Sequence, residues 1–472
     1  MTNETIKQNQ YIQEIKLRNE VNGKILKYHI FTMGCKLNEN DSEKIAGMLE
    51  EMGYVKSEEL MEADFVIYNT CCIRENAEDK LLGKLGEVKY LKEEKNAIIA
   101  VCGCMMQEEH IVEKIRKSYK HTDIIFGTHT MHKLPQLVLE VLKNKKRKED
   151  VIDIAGEVHE NIPIKRTNKT KALVSIINGC NNFCTFCIVP YVRGRERSRL
   201  PKDIILEIEE LAKNGYKEIT LLGQNVNSYL RVEREKKVEF EQYRGVHSFA
   251  TLLKAINEIP GIESIRFISP HPKDFTFDVI EAIRDLDKVS KSVHLPLQSG
   301  NTNVLKRMNR RYTKEQFLEL ATTMQKEIKG LALTTDIIVG FPGETDEEFE
   351  DTLDVIEKVR FEQVYMFIYS RRKGTVADRM EDQVKEEDKH RRFNKLKQLV
   401  TKLIEEDNKK YIGTIQKVIV DGISKKDKNM FTSRTDTNKI VVFKKEEEEL
   451  TNKTVNVKII SDHLWFFKGK IV

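Results

Sequence analysis

Residues 177–199 read INGCNNFCTFCIVPYVRGRERSR, and the reading of their spacing, Cys180-x3-Cys184-x2-Cys187, decides the fold. A β-branched run, ALVSIIN (172–178), leads into the three cysteines, and a helical pattern, PKDIILEIEELAKNG (201–215), follows them. The thiols therefore occupy a strand-to-helix loop. The same alternation continues through EITLLGQ (218–224), SIRFISP (264–270), SVHLPLQS (292–299), LTTDIIVGF (333–341) and EQVYMFIYS (362–370), with helical patterns filling most gaps. Six βα units over 171–408 predict an open, partial (β/α)6 barrel, since a closed eight-stranded one needs more chain. Ligands of such sheets bind at the carboxyl ends of the strands, where the cysteine loop lies.

Upstream, 25–143 alternates in the same way. The runs KILKYHIFTMG, ADFVIYNT, AIIAVCG and TDIIFGT each precede a helical pattern, which predicts a small doubly wound parallel sheet. Cys35, Cys71 and Cys104 fall just past the carboxyl ends of its first three strands. Residues 144–170 lose this periodicity and read as a linker, and the polar residues 1–24 read as a mobile extension. A polar helix over roughly 384–410 leads into 409–472, which is β-rich, glycine-punctuated and basic, as in a small OB-like β-barrel that binds nucleic acid. The alternative for that segment is a β-domain for protein contacts.

The whole chain of 472 residues carries only +5, yet residues 409–472 hold fourteen Lys and Arg against eight Asp and Glu. The basic excess thus sits in the tail and points to a polyanion, or else to a solvated basic face. With 40% hydrophobic and 33% charged residues and nine prolines, the composition excludes a collagenous or wholly disordered chain. No run of 18 apolar residues occurs and the polar N-terminus has no apolar h-region, so neither a membrane span nor a secretory signal is read and a cytoplasmic protein is expected.

All eight cysteines lie at or before residue 187, which argues against a disulfide framework and for metal or redox chemistry. Electron-transfer [4Fe–4S] centres and structural zinc sites both take four ligands. Three thiols in one loop leave one iron of a cluster open for a small molecule, and here the loop resembles that of the radical S-adenosylmethionine (SAM) enzymes. Zinc or a thioredoxin-like pair are the alternatives. Phe186 then reads as a neighbour of the SAM adenine or as simple packing. Gly223, Gln224, Gln298 and Ser299 lie on the strand-end rim as candidate SAM or substrate contacts. GFPGET (340–345) reads equally as a close backbone approach to a ligand or as a tight turn. Cys35, Cys71 and Cys104 could hold a second cluster, against the alternative of ordinary buried thiols, which is the reading taken for Cys72 and Cys102. Arg193, Arg195, Arg197 and Arg199, with Arg371, Arg372 and Lys373, read as phosphate-steering groups in preference to local ion pairs.

From residue 25 to the end the chain resembles the radical SAM methylthiotransferases. TMGCKLNENDSE, NTCCIRENAEDK and CGCMMQ are similar to the family's N-terminal domain; INGCNNFCTFCIVPYVRGRERSR, SPHPKDF and HLPLQSGNTNVLKRMNRRYT to its radical core; and the tail to its TRAM RNA-binding domain. The resemblance implies two [4Fe–4S] clusters, one on Cys35, Cys71 and Cys104 and one on Cys180, Cys184 and Cys187. Within the family it lies nearest the branch that methylthiolates C2 of isopentenyladenosine-37 in tRNA. One SAM would donate methyl to sulfur at the first cluster, and a second would yield the radical that removes the C2 hydrogen. An electron donor such as flavodoxin or ferredoxin and a monomeric enzyme are expected. Lys36-Leu37 departs from that branch towards the one acting on threonylcarbamoyladenosine-37. A further branch acts on a ribosomal-protein aspartate.

Overall fold

The structure, a computed structural model, describes every residue except 1–2, 73–76, 153–157, 237–242, 446–449 and 452. The IREN stretch at 73–76 thus lies outside the described residues. The N-terminal domain is a six-stranded parallel sheet in the order Tyr54–Lys56, Leu26–Thr32, Phe65–Thr70, Ile98–Gly103, Ile124–Phe126, Lys148–Asp150. Every residue of Phe65–Thr70 and Ile98–Gly103 is buried. Their side chains alternate between two cores, Val66, Tyr68, Ile99 and Val101 on one face and Phe65, Ile67, Ile98 and Ala100 on the other. A sheet covered by helices on both faces is the doubly wound arrangement expected.

Two boundaries of this domain differ from the sequence reading. Asn3–Val21 is a helix rather than a mobile extension, with Gln8, Ile12, Ile15 and Asn19 buried at helical spacing. Ile12 and Ile15 join the core formed by Met48, Leu49 and Val138, and the Asn19 amide donates to the Met52 carbonyl at 2.9 Å. A stripe of only two apolar residues among polar neighbours is too thin to stand out in the sequence. Within the segment read as linker, Lys148–Asp150 is a short polar edge strand paired with Ile124–Phe126.

The central domain contains the six expected parallel strands: Lys171–Ser175, Glu218–Leu222, Ser264–Phe267, Ser292–His294, Ala332–Val339 and Gln363–Ile368. They form two three-stranded ladders joined where the Ile265 amide donates to Lys288 and Ser290 donates back to Ile265. The fourth strand is shorter than SVHLPLQS predicts, because Pro296 interrupts it and Gln298 sits at φ 71 before bridging to Ile337. Lys171–Ser175 and Gln363–Ile368 are the two open edges. On the first, the Leu173 carbonyl accepts from Asn40 at 3.1 Å and Arg166 at 2.5 Å, so the N-terminal domain covers that edge.

Glu386–Asn408 packs on the outside of the last strand and leads to a closed five-stranded barrel, Ile415–Ile423, Met430–Thr435, Ile440–Lys444, Phe467–Ile471 and Thr454–Asp462 in ladder order. This barrel touches both open edges of the central domain at their amino-terminal ends. Asp421 pairs with Lys171 at 2.9 Å and with Arg434 at 3.1 Å, while Lys439 and the Tyr411 hydroxyl meet Glu362 at 2.8 and 3.0 Å.

Candidate active site

The cysteine loop is pinned along its length. Ile177–Asn178 pairs antiparallel with Arg197–Ser198, and the Cys180 amide donates to the Gly194 carbonyl at 3.1 Å. Gly179 sits at φ +80, and a Cβ there would collide with the Arg195 carbonyl, so only glycine fits. Farther on, the Thr185 amide and hydroxyl donate to Met308 and Arg307 at 3.0 and 2.9 Å. The Asn309 amide reaches the carbonyls of Asn182 and Phe183 at 3.1 and 2.9 Å. Buried Arg310 donates to Cys184 Sγ at 3.5 Å, to the Pro296 carbonyl at 2.6 Å and to the Tyr312 hydroxyl at 3.0 Å. Burial pushes the Cys180 thiol far above the usual thiol range and Cys187 up to about 12. Thiols held so high become ligands only when a metal supplies the compensating charge.

The second trio assembles through strand register. Thr32 lies beside Asn69 and Thr70 beside Gly103, so the three chains leave the sheet together into Cys35, Cys71 and Cys104. Asn38 ties them: its Oδ1 lies 3.4 Å from Cys35 Sγ and its amide donates to the Thr70 carbonyl at 2.8 Å. Gly34 packs against Cys71 so closely that a Cβ would come within 2.6 Å of the Cys71 Cβ. Arg193, six residues past Cys187, crosses from the central domain into this group. Its Nε donates to Cys104 Sγ at 3.1 Å and its Nη2 to Asp41 and Asn38 at 2.7 and 3.3 Å. A hydrogen bond from Cys72 pulls the Cys104 thiol down to about 6; burial opposes this and Arg193 reinforces it. Cys72 and Cys102 are both core residues, on opposite faces of the sheet.

Both trios have donor sets suited to iron–sulfur clusters, three thiols with one position left over. Among the described residues no three His, Cys, Asp or Glu side chains are close enough together for a single metal ion, and a four-iron cluster spreads its ligands wider than one ion does. Next to the loop, buried Asn182 Oδ1, Glu196 Oε2, Gln224 Oε1, Asn225 Oδ1 and His271 Nε2 have no hydrogen-bond partner. Buried polar atoms in that state mark a place for a bound polar molecule. Asn225 also links Glu196 to Asp274, at 3.2 and 2.7 Å, and Asn227 holds the His271 backbone at both ends.

The sequence-predicted rim residues separate on inspection. Gln224 contributes an unpartnered oxygen to this region. Gly223 is required by packing, since a Cβ there would meet Ile177. Gln298 is 9% exposed, with its backbone committed to Asp336 and Ile338, and Ser299 is fully buried against Thr352. Phe186 packs edge-on to Phe341 at 6.4 Å beside Met308 and Tyr369. GFPGET is a tight turn: Gly340 and Gly343 have φ near +73 and +72, and the Gly340 amide donates to Glu344 at 2.7 Å. The phosphate reading is corrected for Arg193, Arg199 and Arg371, which are held in ion pairs. Arg193 pairs with Asp41, Arg199 with Glu160 and Glu207 at 2.6 and 2.7 Å, and Arg371 with Asp378 at 3.1 Å. Arg195 lies over the Phe183 ring at 4.2 Å. Sequence reasoning missed Arg310, Asn225, His271 and Asp274 as site residues, although SPHPKDF contains two of them.

Residues 174–356 match the radical SAM superfamily, 27–127 match the uncharacterized protein family UPF0004, and 409–472 match the TRAM domain. Two curated relatives, from Acetivibrio thermocellus and Thermoanaerobacter pseudethanolicus, are each 50% identical, covering 99% and 100% of this chain and 96% and 98% of their own lengths. A third, from Clostridium tetani, is 51% identical over 94% of this chain and 96% of its own. All three are named tRNA-2-methylthio-N(6)-dimethylallyladenosine synthase. Among solved structures, the radical SAM methyltransferase TsrM from Kitasatospora setae aligns with a TM-score of 0.53 at 13% identity, over 75% of each chain, which is a likeness of fold. The identity over the full length, together with three domains in the matching order, places this chain in the family of tRNA-2-methylthio-N(6)-dimethylallyladenosine synthases.

Proposed function

We propose that this protein is a radical SAM enzyme that places a methylthio group on C2 of N6-isopentenyladenosine-37 in tRNA. The observation that carries this reading is the meeting of two separate cysteine trios across one interface, with Arg193 extending from the loop of one to the Cys104 sulfur of the other. Cys180, Cys184 and Cys187 would hold the SAM-binding cluster, and Cys35, Cys71 and Cys104 the second. When bound, the clusters and SAM supply radical hydrogen abstraction together with the sulfur and methyl that are transferred. The chain supplies placement. Arg310 and Arg193 each present an N–H to one ligand sulfur, those of Cys184 and Cys104, and both cysteines are buried. Unpartnered Asn182, Glu196, Gln224 and Asn225 oxygens are available to the polar groups of SAM, and Phe186, Gly223, Gln298 and Ser299 would be packing neighbours of that site.

The basic five-stranded barrel fits a tRNA partner, and a flavodoxin or ferredoxin is the natural one-electron source for a monomeric enzyme. No helix among the described residues is long and apolar enough to cross a membrane. The readings on threonylcarbamoyladenosine or a ribosomal-protein aspartate are not favoured, because the three relatives above, each about half identical over nearly the full length, carry the dimethylallyladenosine name. The test is nucleoside mass spectrometry of isopentenylated tRNA incubated anaerobically with reconstituted protein, SAM and reductant. Appearance of 2-methylthio-isopentenyladenosine supports the proposal, and SAM cleavage with no change in the nucleoside defeats the substrate assignment.

A further inference from the structure

The central barrel is open along one side, and the last strand presents two large aromatic rings there. Tyr365 and Phe367, at i and i+2 of Gln363–Ile368, are 41% and 50% exposed, whereas Val364 is buried in the core and Met366 packs against it. Strand register puts Tyr365 beside Asp336 and Phe367 beside Ile338. The Tyr365 ring lies 5.9 Å from that of His294, two strands away, which places it on the inner, concave face with the His294–Asp336 pair at 3.2 Å. At the foot of this face the TRAM barrel spans the opening: Asp421 joins Lys171 on the first strand at 2.9 Å, and Lys439 joins Glu362, just before the last strand, at 2.8 Å. An exposed pair of rings in a soluble chain, continuous with a basic domain and lying below the cysteine loop, marks a surface for flat apolar groups on a polyanion.

We propose that Tyr365 and Phe367 form a stacking platform for unpaired bases of an RNA loop, holding the nucleotides next to the reacting one as they pass from the TRAM barrel into the central barrel. This inference rests on the RNA substrate of the proposed function and adds to it a route and two contact residues. The rings lie near the open edge, where the strand has no further neighbour among the described residues, so a base can approach their faces from that side. Every base offers a π-face, so the platform takes loop nucleotides regardless of sequence.

The experiment measures binding of a fluorescently labelled anticodon stem-loop RNA to the full-length reconstituted protein by anisotropy. Tyr365→Ala and Phe367→Ala should each raise Kd by roughly tenfold, the usual loss for one stacked base. Tyr365→Phe should stay within about twofold, because the ring rather than the hydroxyl stacks. Phe277→Ala, which removes an equally exposed ring from an outer helix, should change nothing. As a measurement independent of mutant folding, irradiation of a 5-iodouridine-substituted loop with the wild-type protein should crosslink the peptide containing residues 363–368. Unchanged Kd in both alanine variants, or crosslinks confined to 409–472, overturns the platform while leaving the RNA assignment intact. Failure of the wild-type protein to bind RNA while still cleaving SAM overturns the RNA assignment, and the platform with it.

Discussion

Arg193 keeps its charge in a place where burial works against it. Desolvation lowers its pKa, but the Cys104 sulfur, Asp41 and Cys35 more than compensate, so the guanidinium is held well above its ordinary value. It is therefore a fixed positive charge against one sulfur of the second trio. Arg193→Met should leave Asp41 buried without its partner and weaken the hold on that trio. Iron analysis after anaerobic reconstitution should then fall towards half the wild-type value, while SAM cleavage at the other cluster persists. Equal loss from both trios would show a folding defect instead. His132 gives a pH-dependent counterpart. Burial, with the stacked His159 ring 3.5 Å away, lowers its pKa to about 4. The unfolded chain binds a proton near pH 6.5 and the folded one does not, so this contribution to stability is complete above pH 6.5 and is lost as pH falls towards 4. Urea unfolding of the apoprotein at pH 7 and pH 5 should show a smaller difference for His132→Phe than for wild type. At this scale the six thiols proposed as ligands were legible as candidates in the sequence, because thiols at strand ends are few and their spacing is distinctive. The sequence did not show Arg193 or Arg310 reaching sulfur, since those contacts join residues 89 and 126 positions apart.

At the scale of elements, the strands that were legible are the β-branched ones buried on both faces. Tyr54–Lys56 and Lys148–Asp150 escaped because they are three residues long, the second wholly charged, and their pairing comes from the neighbouring strand rather than from their own pattern. The N-terminal helix escaped for a related reason, and its worth is testable. Ile12 and Ile15 are 3% and 0% exposed, and burying two isoleucines contributes about 3–6 kcal/mol before chain entropy is counted. Removing residues 1–22 should lower the urea midpoint of the apoprotein clearly, whereas a mobile extension would be lost without effect. The fourth core strand shows the opposite error. Its apolar run continues past His294, but Pro296 and the left-handed Gln298 turn the backbone out of the ladder.

For the whole molecule, the small C-terminal barrel contributes through its charge and through its position at the foot of the central one. The turn between its first two strands carries exposed Lys425, Lys426 and Lys428. If all three meet phosphates, replacing them with glutamine should flatten the dependence of log K on log salt by about 2, at roughly 0.7 per contact on a single strand. An unchanged slope would move the phosphate contacts elsewhere on that domain.

The cover over the first central strand also bears on how the chain is made. An uncovered edge strand is a template for unwanted pairing with other chains, and here its Leu173 carbonyl is taken up by Asn40 and Arg166. Asn40 belongs to a domain that leaves the ribosome before the central one. The guard is thus available before the edge it protects has been synthesised, and order of synthesis does part of the work that a chaperone would otherwise do.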